Sequence, residues 1–250
     1  MADLRLSPID SAPGYKRVAH AIEQQILQGR LALGDLLPTE QQLTEQLGVH
    51  RSTVREGIRS LENAGLLKRV GGKRLMICSP SGLEIAWTTT RALGMNRVSF
   101  LEVWETQMHL DPFAAGLAAH RAPGDIRKAL RDNVEATRAG LSDDSALIEL
   151  DVAFHRLIAE ATLNRVLITA ARPVSILLFS ATKDLYQRLP QARHRLLFAH
   201  QQIYDAIFNE DAPRARDWMG KHIRDFRTGY QLAGFDTHAP INFDPLAPKV

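Results

Sequence analysis

Residues 36–74 read LLPTEQQLTEQLGVHRSTVREGIRSLENAGLLKRVGGKR, and this stretch combines two helical patterns, a short turn and a basic hairpin. Pro38 is expected in the first turn of the first helix, where its missing N–H costs nothing, with Glu40 near the positive helix end. Gly48 then interrupts the apolar pattern of that helix. A second helix is expected from about Ser52 to Ala64, so the stretch predicts a helix-turn-helix.

The second helix is predicted to be apolar on one face and polar on the other. Val54, Ile58 and Leu61 have helical spacing and should face the core. The opposite face offers guanidinium and hydroxyl groups, which can contact guanine edges and phosphates in a DNA major groove. The expected DNA contacts on this helix are Arg51, Ser52, Thr53, Arg55 and Arg59.

Two short apolar runs follow the second helix and flank Gly71 and Gly72. This pattern predicts a β-hairpin with a basic tip, so the whole segment is expected to be a winged helix-turn-helix. Gly71 and Gly72 should bring the wing backbone close to a minor groove, and Lys73 should contact phosphate. The alternative is a solvent-exposed amphipathic helix with arginines by chance, but the agreement of helix, turn and hairpin favours DNA binding.

The 250 residues carry a formal net charge of +3, and its placement is more informative than its size. Residues 1–80 hold 11 Lys and Arg against 8 Asp and Glu, whereas residues 81–250 hold 20 of each. The surplus therefore lies in the segment expected to bind DNA. A single cysteine, Cys78, suits a reducing cytoplasm. No signal peptide and no apolar run of about 18 residues is found, which predicts a soluble cytoplasmic protein with no membrane partner.

The chain after the wing is helical in pattern, so the predicted fold is mainly α, with a small β wing and a C-terminal all-helical bundle. The predicted organisation is a flexible arm at 1–14, a winged helix-turn-helix domain at 15–78, a linker and connecting helix at 79–94, a helical domain at 95–231, and a disordered tail at 232–250.

Individual residues in the helical domain predict where helices begin and end. The residues expected to cap helices are Ser99, Ser142 or Asp144, and Asp211, because their side chains can accept hydrogen bonds from backbone N–H groups. Pro112 falls inside a helical pattern at 99–121 and is expected to kink or split that helix. A later helix is expected at 164–182.

One constellation in the helical domain has the spacing of a metal site. Asp151 and His155 stand four residues apart on a helical stretch, so both side chains project from one face. His200 and His222 fall in the middle of later helical patterns. Three imidazoles and one carboxylate suit Zn²⁺, Ni²⁺ or a similar divalent cation. For each histidine taken alone, an ordinary core or surface position is the alternative.

Residues 15–77 resemble the DNA-binding domain of the GntR family of bacterial transcription regulators. The resemblance rests on Gly34-Asp35, on Leu37-Pro38-Thr39-Glu40, on the run from Val49 to Glu56 and on the run from Leu61 to Leu66. It implies DNA contacts from two further positions, Gln41 and His50. Both depart from the family pattern, which usually has a basic residue at the first position and Ser or Thr at the second, so the departures bear on the operator sequence.

Residues 95–231 resemble the helical effector-binding and dimerisation domain of the FadR subfamily of these regulators. In many members an Asp, the His four residues later and two further histidines bind a divalent metal that helps hold a small carboxylate effector. The matching positions here are Asp151, His155, His200 and His222. The effector-clamping arginine of such members is replaced by Gln107, and Asn164 and Arg172 are expected to help hold the effector.

The resemblance implies a ligand-responsive transcription regulator, a repressor that binds a palindromic operator as a homodimer. Its expected partners are double-stranded DNA and a small organic acid. Two alternatives remain open at this point. One is a metal-dependent hydrolase that uses the Asp/His₃ site, although four protein ligands leave a tetrahedral zinc no open position. The other is a metal sensor in which the ion itself is the effector.

Overall fold

The computed structural model describes residues 12–72 and 74–242, which form ten helices and one two-stranded sheet. The chain divides into two compact units, Met1–Ser81 and Gly82–Val250. The elements of the first unit are α1 (Gly14–Leu27), α2 (Glu40–Leu47), α3 (Arg51–Asn63), β1 (Leu67–Val70) and β2 (Arg74–Ile77). The prediction of a mainly α protein with a small wing and a helical bundle is confirmed.

The start of α2 differs from the expectation for Pro38. The helix begins at Glu40, and Thr39 is its N-cap, so Pro38 precedes the cap instead of lying in the first turn. The Thr39 hydroxyl accepts a hydrogen bond from the Gln42 backbone N–H, and the Gln42 side chain accepts one from the Thr39 N–H. This reciprocal pair satisfies two donors that a helix end leaves unpaired. At the other end Gly48 adopts the left-handed conformation, with φ of +62°.

The wing is an antiparallel hairpin in which Val70 lies opposite Arg74. Gly71 and Gly72 form its turn with φ of +56° and +81°, a region that residues with a Cβ rarely adopt. The hairpin is tied to the segment before α2, because the Leu37 N–H donates to the Leu75 carbonyl over 2.8 Å. Lys73, predicted to contact phosphate, lies outside the described residues.

The second unit is a bundle of seven helices, all longer than ten residues. They are α4 (Gly82–Met95), α5 (Phe100–Arg121), α6 (Gly124–Ala139), α7 (Asp144–Ala161), α8 (Arg165–Arg188), α9 (Ala192–Phe208) and α10 (Ala212–Leu232). The central helix, α5, packs against α7, α8, α9 and α10. Ser99 and Asp211 cap α5 and α10 as predicted, each accepting a backbone hydrogen bond. The prediction of Ser142 or Asp144 as a cap is wrong, because α7 is capped by Asp143, which lies between them. Helix α8 runs six residues beyond its expected end at 182.

Helix α4 packs against α8, with Ala86 and Thr90 fully buried. The sequence analysis places this helix in a separate connecting segment at 79–94. In the structure the division between the units falls between Ser81 and Gly82, so α4 is grouped with the bundle. The apolar face of α4 and its burial against α8 account for this grouping.

Pro112 lies inside α5, and the helix continues through it from Phe100 to Arg121. Of the two predicted outcomes, a kink or a split at Pro112, the split is therefore wrong. Both flanking segments are held by tertiary packing, since Asp111, Ala114 and Ala115 are all buried. Packing on both sides of a proline outweighs the loss of one helical hydrogen bond.

The segment after α10 corrects the prediction of a disordered tail at 232–250. Leu232 ends α10, and residues 233–242 fold back over the start of α5, where the backbone N–H of Leu101 donates to Thr237 O over 2.9 Å. Ile241 is buried and its N–H donates to Val98 O over 2.8 Å. The tail thus satisfies donors that the beginning of α5 leaves unpaired. Residues 243–250, and residues 1–11 of the predicted arm, lie outside the described residues.

One helix among those described, α8, is long and apolar enough to cross a membrane by length and composition alone. Half of its most apolar window is buried inside the protein. Leu177, Leu178 and Leu185 on this helix are core residues. The apolar character of α8 is accounted for by its place in the bundle.

The packing of the returning tail predicts a stability effect. We expect Ile241→Ala to lower the free energy of unfolding by about 2 kcal/mol, because it removes buried methyl groups and leaves a cavity. Leu232→Ala is the matched control, since Leu232 is 70% exposed and its truncation should change stability by no more than about 0.5 kcal/mol. Urea unfolding followed by circular dichroism measures both. Equal effects of the two substitutions would show that the tail does not pack.

Candidate functional site

Helix α3 presents the predicted DNA-binding face to solvent. Arg51 and Arg55 have exposed side chains, at 66% and 55%, and Ser52 and Arg59 are also exposed. The inward face of the helix is formed by Val54, Ile58 and Leu61, all at most 3% exposed. The apolar spacing of the helix therefore fixes which side chains remain available to a ligand.

Glu40 holds the two arginines at the start of α3. Its Oε2 lies 2.9 Å from Arg55 Nε and 3.2 Å from Arg51 Nε, so one carboxylate oxygen accepts from both guanidinium groups. Burial acts to raise the pKa of Glu40, but the hydrogen bonds from Arg55 and Arg51 outweigh it and lower the pKa below the usual range. The short turn between α2 and α3 thus places the guanidinium groups of Arg51 and Arg55 beside the same Glu40 carboxylate in the absence of a ligand.

A cleft with a volume of about 540 Å³ lies between α2, α3 and the wing. Four arginines line it, Arg51, Arg55, Arg69 and Arg74, together with Gln41. Arg69 also pairs with Glu62, with 3.0 Å between Nε and Oε1. The sequence analysis did not select Arg69 and Arg74, although both lie in the basic hairpin, because it limited the wing contacts to the turn. Four guanidinium groups make this surface suited to a polyanion.

The other predicted DNA contacts have varied surroundings. Gln41 is exposed and donates to Glu45 Oε1 over 3.1 Å. His50 is the N-cap of α3 but makes no side-chain capping hydrogen bond. Thr53 is only half-exposed, and its methyl group faces Gly14 of α1, 3.0 Å from where a Cβ on that glycine would lie. The contacts of all three with DNA stay predictions.

The four predicted metal-ligating side chains converge in the interior of the bundle. Asp151 and His155 come from α7, His200 from α9 and His222 from α10, and one ligand atom of each lies within 4.8 Å of the others. The three histidines are buried, and the Asp151 side chain is 14% exposed. The His200 ring stacks on the Phe154 ring, with 3.8 Å between centroids.

The separations within this cluster fit a small metal ion. Asp151 Oδ1 lies 3.5 Å from His155 Nε2 and 3.2 Å from His200 Nε2, and the two Nε2 atoms of His155 and His222 are 3.3 Å apart. Zinc with ligands at about 2.0–2.1 Å in a tetrahedral arrangement separates neighbouring ligand atoms by about 3.3 Å. Among the described residues, this cluster could therefore bind a metal ion.

Buried polar atoms without hydrogen-bond partners are a second indication that the cluster could bind a metal ion. Within the described structure, Asp151 Oδ1 and both ring nitrogens of His200 are buried without a hydrogen-bond partner. Their short contacts lack hydrogen-bond alignment, so distance alone does not satisfy them. Buried polar atoms of this kind cost free energy. A cation held between the Asp151 oxygen and the His200 Nε2 would remove this cost at those two atoms.

The pKa values of the three histidines in the cluster are shifted in different directions. Burial lowers the pKa of His155, but the carboxylates of Asp111 and Asp151 more than compensate and raise it to about 10. For His200 burial dominates and lowers the pKa, and for His222 burial together with the charges of His200 and His155 lowers it further. Burial opposes ionisation of Asp151, yet the close approach of the His155 and His200 rings lowers its pKa.

A chain of polar side chains on α5 supports His155. Asp111 Oδ2 lies 2.8 Å from His155 Nδ1, and the same oxygen accepts a hydrogen bond from Gln107 Nε2 over 3.0 Å. The Asp111 carboxylate thus lies beside the outer ring nitrogen of His155, while the other nitrogen, Nε2, faces Asp151 and His222. The sequence analysis did not assign a role to Asp111, although its position four residues after Gln107 was a usable signal.

A small cavity of about 30 Å³ adjoins the cluster and is lined by Gln107, Asp151, His155 and His222. Its opposite wall is one face of α8, from which Ser175, Thr182 and Tyr186 contribute hydroxyl groups. Burial and the negative charge of Asp151 raise the pKa of Tyr186. The sequence analysis did not select Tyr186, because this residue lies beyond the expected end of the helix at 182. The cavity has room for about two water molecules, which favours compact ligands.

The two remaining predicted effector residues occupy different places. Arg172 lines a second cavity, of about 20 Å³, that also borders His155 and Ser175. Asn164 is instead the N-cap of α8, where its Oδ1 accepts hydrogen bonds from the N–H groups of Val166 and Leu167. Capping engages the carbonyl oxygen of Asn164, and its contact with an effector stays a prediction.

Family models match both parts of the chain. The model for bacterial regulatory proteins of the gntR family matches residues 14–77, and the FCD domain model matches residues 102–225. The first match covers the helix-turn-helix and wing, and the second covers the bundle that contains the Asp/His₃ cluster. Metal binding occurs in some FCD domains.

Similar proteins have the same architecture. The putative L-lactate dehydrogenase operon regulatory protein of Escherichia coli K12 is 34% identical over 224 residues, covering 82% of each chain. The transcriptional repressor NanR of Enterobacter sp. strain 638 is 26% identical and covers 92% of this chain and 90% of its own. The solved structure of Streptococcus agalactiae GntR, 26% identical, covers 86% of this chain and 99% of its own with a TM-score of 0.61.

The relatives are regulators, so neither the hydrolase nor the pure metal sensor is favoured, and the protein is not an enzyme. The chain belongs to the GntR family of bacterial transcription regulators, in the FadR-like subfamily that joins a GntR DNA-binding domain to an effector-binding FCD domain.

Proposed function

We propose that this regulator is a cytoplasmic repressor that binds a palindromic operator as a homodimer and leaves it when a small organic acid binds. The observation that carries the proposal is the convergence of Asp151, His155, His200 and His222 beside a cavity in a chain with a DNA-binding domain. The family membership supports the DNA-binding part, and the cavity beside the cluster supports an organic effector.

The dimer and the operator follow from how one recognition helix reads DNA. A single α3 can contact only a few base pairs of one major groove, so two copies related by a twofold axis read two half-sites. A symmetric operator matches that symmetry. NanR, one of the relatives, is a repressor, which supports repression by this protein. Gln41 and His50 occupy positions that would distinguish this operator from those of other family members.

The recognition helix yields the first functional prediction. If Arg55 reads a guanine, Arg55→Ala should weaken operator binding by about 1–3 kcal/mol and relax specificity at that base pair. Fluorescence anisotropy on a duplex selected from a random pool measures the affinity. Arg131→Ala is the matched control, because Arg131 is an exposed arginine on α6 in the other unit. Equal affinities of the Arg51→Ala/Arg55→Ala double variant and the control would contradict the assignment.

The metal is proposed to be Zn²⁺ or Ni²⁺, held by Asp151, His155, His200 and His222. Imidazole nitrogens suit both ions, and the separations of 3.2–3.5 Å in the cluster favour a small one. When bound, the ion supplies positive charge that can attract a carboxylate. The chain itself positions the ligands: Asp111 orients the His155 ring, and Phe154 stacks against His200.

Zinc binding should be measurable as uptake and as stabilisation. At a free zinc concentration about 100 times the dissociation constant, the free energy of unfolding should rise by about 2.7 kcal/mol, because the ion binds only the folded state. His200→Ala should lose this gain, whereas His194→Ala should keep it, since His194 is exposed on the same helix. Elemental analysis and thermal unfolding give the two readouts. Equal zinc uptake by both variants would contradict the site.

The proposed coupling runs through α8. The effector is expected to lie in the cavity near Gln107, with Arg172 as a second contact from α8. An effector changes operator affinity only through a difference in its own affinity for the two arrangements of the protein. Helix α4, which follows the junction at Ser81, packs on α8. The parts proposed to move are therefore the segment at 79–82 and α4.

Removing a ligand of the cluster should separate sensing from DNA binding. His155→Ala should bind operator with wild-type affinity but no longer respond to an acid that weakens wild-type binding about 5- to 150-fold. Because coupling is reciprocal, operator DNA should weaken acid binding to the wild type by the same factor. Fluorescence anisotropy measures the affinity for operator DNA, and titration calorimetry measures the affinity for the acid. If His155→Ala is released as readily as the wild type, the effector is held elsewhere.

A further inference from the structure

The Asp/His₃ cluster lies inside the bundle, so a metal ion needs a path through the folded protein to reach it. Two of the cluster residues border a further space on the side away from the cluster. His222 borders a cleft of about 400 Å³ between α9 and α10. His155 borders the second cavity, of about 20 Å³, between α7 and α8. These two spaces are the candidate routes.

The cleft beside His222 lies at the protein surface. Its walls include Phe198 and Trp218, whose rings meet edge to face with 5.4 Å between their centroids. Phe198 is 57% exposed, so solvent reaches this cleft. The cleft is also far larger than the cavity of about 30 Å³ beside the cluster. A hydrated ion can therefore occupy the cleft without any rearrangement of the bundle.

A third cavity, of about 20 Å³, connects the surface cleft with the cavity beside the cluster. It shares Arg195 and Asp225 with the cleft, and it shares Tyr186 and Phe226 with the inner cavity. His222 lines all three spaces. The three spaces thus follow one another along His222 from the surface to the cluster.

An ion pair separates the surface cleft from the third cavity. Arg195 Nε lies 3.0 Å from Asp225 Oδ2, and both side chains line both spaces. The two side chains are 41% and 45% exposed, and exposed ion pairs contribute little to stability. The pair can therefore break and re-form while the bundle stays folded.

The cavity beside His155 also has an ion pair in its wall, but the geometry of that pair differs. Arg156 Nη1 lies 3.0 Å from Glu160 Oε1, and both residues belong to α7. Breaking a pair within one helix opens no gap between helices. Arg195 and Asp225 instead join α9 to α10, so breaking their pair parts the two side chains across a helix boundary.

From these observations we propose that divalent metal ions enter and leave the Asp/His₃ cluster between α9 and α10, and that the Arg195–Asp225 ion pair is the gate of this path. The inference rests on the proposed metal site. It goes beyond that site by assigning the rate of metal exchange to two residues outside the ligand set. The gate sets how fast the ion exchanges, whereas the four ligands set how tightly it binds.

Zinc exchange kinetics of the full-length protein test the proposal. Stopped-flow transfer of zinc to an excess of a coloured chelator measures release, and competition with a zinc indicator measures uptake. We expect Arg195→Gln to accelerate both rates by about two- to fivefold, the factor that an exposed ion pair implies, with an unchanged dissociation constant. A charge that acts only from a distance would shift the two rates in opposite directions, and that result would overturn the gate.

Arg156→Gln is the matched control, because it breaks the ion pair in the wall of the other cavity. Its exchange rates should equal those of the wild type. Faster exchange in Arg156→Gln with wild-type rates in Arg195→Gln would place the path between α7 and α8 and overturn the proposal. Equal acceleration in the two variants would overturn it as well, since the effect would then not be specific to one route.

A substitution in the third cavity should act in the opposite direction. Ala192 is buried in its lining, so the two methyl groups added by Ala192→Val should narrow the path and slow both release and uptake. Unchanged rates in a folded Ala192→Val protein would contradict the path. If this variant does not fold, Arg195→Gln and Arg156→Gln still decide, because each changes a side chain that is partly open to solvent.

The wild type separates failure of this inference from failure of the metal site. If the wild type binds zinc and Arg195→Gln exchanges it at the wild-type rate, the gate is overturned and the metal site stands. If the wild type takes up no zinc, the proposed metal site is contradicted, and the inference fails with it.

Discussion

The burial of one carboxylate and three imidazoles at a single point is the constraint on which the bundle depends. Polar groups of this kind are costly inside a protein unless they are paired. Asp151 and His155 come from α7, His200 from α9 and His222 from α10, so three helices must keep their rotation and spacing to bring the four together. Asp111 adds α5 to the same constraint through its 2.8 Å contact with His155. The cluster therefore limits how these four helices can move.

The features that the sequence predicted well are local ones. The i, i+4 spacing of Asp151 and His155 is a property of a single helix, and so are the caps at Ser99 and Asp211. The alternation of apolar and polar positions in α3 likewise set which face carries Arg51 and Arg55. Each of these depends on residues a few positions apart. His200 and His222 were candidates because each lies in the middle of a later helical pattern, and the family resemblance supported grouping them with Asp151 and His155 on α7.

The features that were missed depend on contacts between distant segments. The tail after Leu232 has no strong pattern of its own, and it is ordered because it supplies carbonyls to the start of α5 and buries Ile241. Pro112 continues a helix because packing holds both sides of it. In each case tertiary packing or a backbone donor decided the outcome, and neither can be read from a short stretch.

Helix α8 is the element through which a small ligand could influence the junction with the DNA-binding unit. One face carries Ser175, Thr182 and Tyr186 into the cavity, and α4 packs against α8 elsewhere on its surface. Arg172 lines the second cavity, which also borders His155, and its guanidinium would be 3.7 Å from a Cβ on Gly82, the first residue of α4. In the proposed coupling, a ligand that shifts α8 or moves Arg172 also changes the packing of α4, because closely packed helices do not deform gradually. Helix α4 begins at the residue after Ser81, so the proposed coupling passes from α4 to the segment at 79–82.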